Sequence, residues 1–109
     1  MTARKVIKVA TDYSTEPFGR YPQDGNSNGT DFREKWLKPA LDSNELVTVD
    51  FDGAEGYGSS FLEESFGGLV RLCGFTATDL HKKLRLVSED DPSIASEVWD
   101  YIDIAAPKN

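Results

Sequence analysis

Over residues 46–74 the apolar side chains change their spacing once, and that change restricts the possible folds more than any other feature. Val47, Val49 and Phe51 alternate with Leu46, Thr48 and Asp50, the two-residue period of a strand with one strongly apolar face. After the turn Gly53-Ala54-Glu55-Gly56-Tyr57-Gly58, the apolar positions become Phe61, Leu62, Phe66, Leu69, Val70 and Cys73. That spacing predicts a helix starting at Ser59 or Ser60, burying one side and ending at Gly74 as a left-handed cap. Strands joined through helices pair side by side in the same direction, so this unit points to a parallel sheet.

The flanking sequence repeats the alternation. Lys5-Val6-Ile7-Lys8-Val9-Ala10-Thr11 has the β-branched content of a strand. Residues 12–29 hold Pro17, Gly19, Pro22, Gly25 and Gly29, which predicts a loop with a brief extended piece near Gly19-Arg20-Tyr21. A loop of that length in a small domain is more often functional or mobile than neutral. A helix follows, with Phe32, Trp36, Leu37, Ala40 and Leu41 on one side, Asn28 or Thr30 as cap, and Pro39 as a flaw in its last turn. Asp79-Leu80-His81-Lys82-Lys83 reads as a polar connection, Leu84-Arg85-Leu86-Val87 as a strand, and Asp91-Pro92 as the opening of a helix with Ile94, Val98, Trp99 and Ile102 inward. The expectation is an α/β domain over 1–109: a sheet of three to four mostly parallel strands covered by about three helices, with a loop-rich segment at 12–29.

The net charge of −7 is uneven: residues 1–38 hold seven basic and five acidic groups, and residues 39–109 hold five basic and fourteen acidic. Nucleic acid and anionic lipid draw binding from neutralised phosphates, so the acidic surface predicts neither as a partner and favours a protein with a basic face. No apolar run approaches the roughly 20 residues of a membrane span, and the N-terminal stretch lacks a signal peptide's apolar segment, so the expected compartment is the cytoplasm. Cys73, the single cysteine, falls at an apolar helical position and reads as a packed thiol.

Gly56-Tyr57-Gly58-Ser59-Ser60 invites several chemistries. A dinucleotide-binding turn needs a third glycine where Phe61 stands, and a phosphate loop needs a Gly-Lys-Ser/Thr that is absent. Asp52, Glu55, Glu63 and Glu64 would also oppose a polyphosphate. A nucleophile elbow needs a glycine where Leu62 stands, and His81 is the only histidine available as a base. Adjacent residues on a helix point roughly 100° apart, so Glu63 and Glu64 are expected in a solvated first turn and not on one ligand. These readings predict no catalytic residue, no metal site and no cofactor. Gly67-Gly68 inside a helix costs about 1 kcal/mol per glycine against alanine, which predicts close packing by another backbone.

The run 46–70 resembles the centre of the STAS domain (sulphate transporter and anti-sigma factor antagonist), in which a strand leads through Asp-Ser-Ser/Thr-Gly into a helix. Ser59 falls at the position of the serine that anti-sigma antagonists have phosphorylated by a partner kinase, with Gly58 where that family has aspartate and Phe61 where it has glycine. Gly19-Arg20-Tyr21, Phe32-Arg33-Glu34 and the run from Tyr57 to Val70 are similar to the bacterial and phage STAS-like family, over about 6–102. That resemblance implies a STAS-like fold, association with kinase-like ATPases, and no established reaction.

Two functions follow as expectations. One is a non-enzymatic regulatory module that docks on a protein through the 56–70 turn and helix, with Ser59 and Ser60 as candidate phosphoacceptors and Arg20, Tyr57, Gly58, Glu63 and Glu64 on the contact surface. The alternative is a sensor of a small ligand or nucleotide, using the loop from Gly56 to Ser60 together with Arg20. In either, Ser59 or Ser60 is expected to cap its helix.

Overall fold

The computed structural model describes residues 3–106. Of the expected span 1–109, Met1, Thr2, Pro107, Lys108 and Asn109 lie outside the described residues. Three strands, β1 (Arg4–Lys8), β2 (Leu46–Asp50) and β3 (Leu84–Val87), form a parallel sheet in the order β1-β2-β3. Ile7 pairs with Val49 and Val49 with Leu86, while Val47 lies beside Leu84. This register gathers Ile7, Val47, Val49 and Leu84 on one face, all fully buried. The predicted alternation of β2 thus has its reason in the sheet.

Two long helices carry most of the remaining core. The first, α1 (29–43), is capped by Asn28, whose side chain accepts a bond from the Asp31 N–H. It winds regularly over Gly29–Phe32, widens to a π-helix over Arg33–Leu37, and narrows again over Lys38–Ser43. Pro39 has no N–H to offer the preceding turn, and the widened stretch just before it lets the helix continue. The second, α2 (59–73), follows the same plan: Ser59–Leu62, a π stretch over Glu63–Gly67, then Gly68–Cys73, closed by Gly74 at φ 81°. Phe32 meets Phe61 at 5.6 Å and Phe66 at 6.3 Å, and Phe66 meets Phe51 at 5.8 Å, so aromatic rings tie α1 and α2 to the end of β2.

The helices exceed the three expected. Ala77–Lys83, read from sequence as a polar connection, is helix α3, held by a reciprocal cap in which Thr76 accepts from the Asp79 N–H and Asp79 from the Thr76 N–H. Leu80 anchors it in the core, and the last helix, α4 (Ser93–Ile104), buries Val98 and Ile102. Single helical turns at Val9–Tyr13 and Pro22–Asp24 punctuate the segment expected as strand and loop. Among the described residues no helix is long and apolar enough to cross a membrane.

Candidate functional site

The loop at 12–29 is tied down around Arg20. The Asp24 carboxylate accepts the Arg20 and Tyr21 N–H groups at 2.9 and 3.0 Å, and the Arg20 carbonyl accepts both the N–H and the hydroxyl of Thr30. Gly19 makes the bend at φ 86°. Farther back, the Tyr13 hydroxyl donates to the Asn28 carbonyl at 2.7 Å, and burial first, then Asp31, pushes its pKa up to about 12.

So fixed, Arg20 reaches across to the first turns of α2. Its Nη1 donates to Glu63 at 2.6 Å and lies 3.5 Å from Glu64. Arg71, two turns along α2, pairs with Glu63 through Nη1 and, at 3.1 Å, through Nη2. Behind them Arg33, almost wholly buried, donates Nη1 to the Glu64 carboxylate and to the Glu64 carbonyl, both at 2.7 Å, and Nε to Glu34 at 2.9 Å. Glu63 and Glu64 therefore converge on one guanidinium, contrary to the solvated first turn expected. The arginine that collects them comes from a loop far away in sequence, which helix geometry alone does not reveal. Glu64 is only 5% exposed, so its charge depends on these partners.

The glycine pair is explained by the same cluster. A Cβ at Gly68 would overlap Arg33 Nη1 and stand 3.0 Å from its Cδ and Cζ; one at Gly67 would overlap Glu63 Oε2 and stand 3.0 Å from Arg71 Nη1. The two glycines clear the helix surface on which the ions rest. The expected packing by another backbone is found instead at Gly29, whose added Cβ would lie 2.8 Å from the Phe61 carbonyl oxygen.

Burial works against the Glu63 carboxylate, yet the hydrogen bonds from Arg71 and Arg20 outweigh it and hold its pKa below the ordinary 4.5. A carboxylate depressed on folding stabilises the fold above its unfolded pKa and loses that contribution as pH falls through the folded value. Protection of the Arg20 loop from amide exchange is therefore expected to decline on acidification below pH 4.5, and Glu63→Gln is expected to abolish that acid-dependent step.

Ser59 and Ser60 open α2 and are exposed. The cap position belongs to Gly58, and no side chain caps this end, so neither serine is the cap expected. Both line a groove of about 400 Å³ with Phe18, Gly19, Arg20, Asp24 and Gly58. On the other side of Arg20 lies a second hollow of about 550 Å³, lined by Tyr21, Glu63, Glu64, Arg71 and Leu72. Phe18, Tyr21 and Leu72 are at least half exposed on these rims. Tyr57 turns away: its ring packs edge-on against Phe51 at 5.2 Å, and its hydroxyl donates to the Phe51 carbonyl at 2.8 Å. It anchors the turn that places Gly58 and Ser59.

Three contributors escaped the sequence reading. Arg71 stands seven residues after Glu64, a two-turn helical spacing that signals a shared face. Phe18 carried no such local signal, and Arg33 stood out only within the family-like run Phe32-Arg33-Glu34, with no role attached to it.

A family model described as a STAS-like domain of unknown function (DUF4325) matches residues 28–93, more than half of the chain. The match takes in Ser59, Glu63, Glu64 and Arg71 and is shorter than the expected 6–102; Arg20 precedes it. No curated protein and no solved structure matches the chain.

Proposed function

This chain belongs to the STAS-like domain family of unknown function, and from that premise we propose that it is a non-enzymatic regulatory module that docks on a protein partner through the 56–70 turn and helix, with Ser59 as its switch. The observation that carries the reading is the exposed Ser59 at the first turn of α2, sharing a groove with Arg20. A phosphate there adds about −1.5 to −2 charge without entering the core, so it alters the surface and leaves the packing intact. Ser60 is the second candidate acceptor. A kinase-like ATPase is the partner class that the family resemblance favours, and the acidic surface favours a basic face on it.

Ser59→Asp is expected to shift affinity for such a partner about tenfold while changing unfolding free energy by no more than about 1 kcal/mol. Binding titrations and urea unfolding on the same preparations measure the two. An unchanged affinity for an identified partner removes Ser59 from the interface.

The groove also favours a second reading, a sensor for a small ligand or nucleotide held by Arg20 and the loop from Gly56 to Ser60, of which Gly58, Ser59 and Ser60 line the groove. Calorimetry with nucleotides and sugar phosphates separates the two readings: heat of binding that Arg20→Gln abolishes supports the sensor, and its absence across the series rejects it.

A further inference from the structure

Among the described residues, every side-chain hydrogen bond made by Arg20 leaves from Nη1, toward Glu63 and Glu64. Arg33, by contrast, engages Nε and Nη1, and Arg71 engages both terminal nitrogens. Arg20 thus keeps Nε and Nη2 uncommitted at the wall of the groove that holds Ser59. Ser59 stands four residues before Glu63, the spacing at which helix side chains share a face one turn apart, so the group that binds Glu63 lies one turn from Ser59. The backbone of Arg20 is meanwhile fixed by Asp24 and Thr30, so its side chain is delivered from a set position.

We propose that Arg20 is the reader of a phosphoryl group on Ser59, bridging it to Glu63 and so clamping the 18–30 loop onto α2. The inference rests on the reading of Ser59 as a phosphoacceptor and supplies its regulation. In the modification, the terminal phosphoryl of a nucleoside triphosphate passes to Ser59 Oγ. The new O–P bond forms as the bond to the departing nucleoside diphosphate breaks, and the hydroxyl proton is lost to solvent. The product presents oxygen acceptors to the guanidinium fork, a geometry that arginine meets with two parallel bonds and lysine does not. Glu63, one turn along α2, opposes the added charge, and Arg20, already paired with Glu63 and lining the groove of Ser59, is the cation placed to offset it.

The test places phosphoserine at position 59 during synthesis of the full chain, so no kinase is needed and the outcome does not depend on finding one. Amide exchange across 18–30 is expected to slow about tenfold relative to the unmodified protein. In Arg20→Gln the slowing is expected to vanish, and in Arg20→Lys most of it is lost. The Arg20 Nε–H resonance of the otherwise unaltered chain provides a readout that no substitution can confound, and it is expected to shift downfield and exchange more slowly with solvent on phosphorylation. Unchanged or faster exchange of the loop, or an unmoved Arg20 resonance, overturns the proposal. A separate incubation of unmodified protein with a kinase-like ATPase and ATP, followed by mass spectrometry of Ser59, tests the underlying reading. The chain can fail that incubation and still show the clamp, or pass it and show none.

Discussion

Arg33→Met is expected to destabilise the protein by about 3 kcal/mol, seen as a lower urea midpoint at unchanged slope. The change keeps an apolar stem of similar length and removes the guanidinium that satisfies both the carboxylate and the carbonyl of Glu64. Glu64 would then remain buried with Arg20 at 3.5 Å and Arg71 at 3.9 Å as its remaining cations. Those contacts temper the loss and do not replace the 2.7 Å bonds. Removing both charges has the opposite logic: Arg33→Met with Glu64→Leu is expected to recover most of the stability, because an apolar pair has no desolvation cost to offset. A single variant as stable as the parent would show that the pair carries no weight in the fold.

Gly29→Val is expected to cost about 2 to 3 kcal/mol, by a different route. The new Cβ would sit 2.8 Å from the Phe61 carbonyl oxygen and 3.0 Å from Glu64 Cβ and Ser65 Oγ. The nearest obstacle is main chain, so relief requires α1 and α2 to separate and disturbs the contacts of Phe32 with Phe61 and Phe66. Gly58→Ala is the fitting control, since nothing lies within 4 Å of a Cβ there and its φ of −70° suits any residue. Thermal or urea unfolding of the two variants should separate them clearly, and equal stabilities would refute the close helix approach.

The sequence made the local features legible and the long-range ones invisible. Val47, Val49 and Phe51 marked β2 because a strand buried on one face must alternate, and Gly74 marked the end of α2 because a left-handed residue is needed there. Asn28 was one of two caps offered, and the structure uses it. Helix α3 was missed although Thr76 and Asp79 spell its cap, because Leu80 is the single fully buried residue between His81-Lys82-Lys83 and the turn before it. The candidate site divides the same way. Ser59 was placed at the start of its helix by the change in apolar period, and the structure keeps it there. The meeting of Arg20 and Arg33 with Glu63 and Glu64 depends on how a loop and two helices cross, and no spacing within one segment encodes it.

The sheet register has a consequence for how the chain reaches its fold. Arg4 pairs with Leu46 and Val47 with Leu84, so no strand finds its partner nearby in sequence. Each pairing waits on closing a long intervening segment, whose entropy is lost before the ladder bonds repay it. During synthesis β1 must stay without its partner until α1 and β2 have emerged, and β2 must wait in turn for β3. Refolding should therefore be slow for a chain of this size, with α1 and α2 gaining protection from exchange before any strand does.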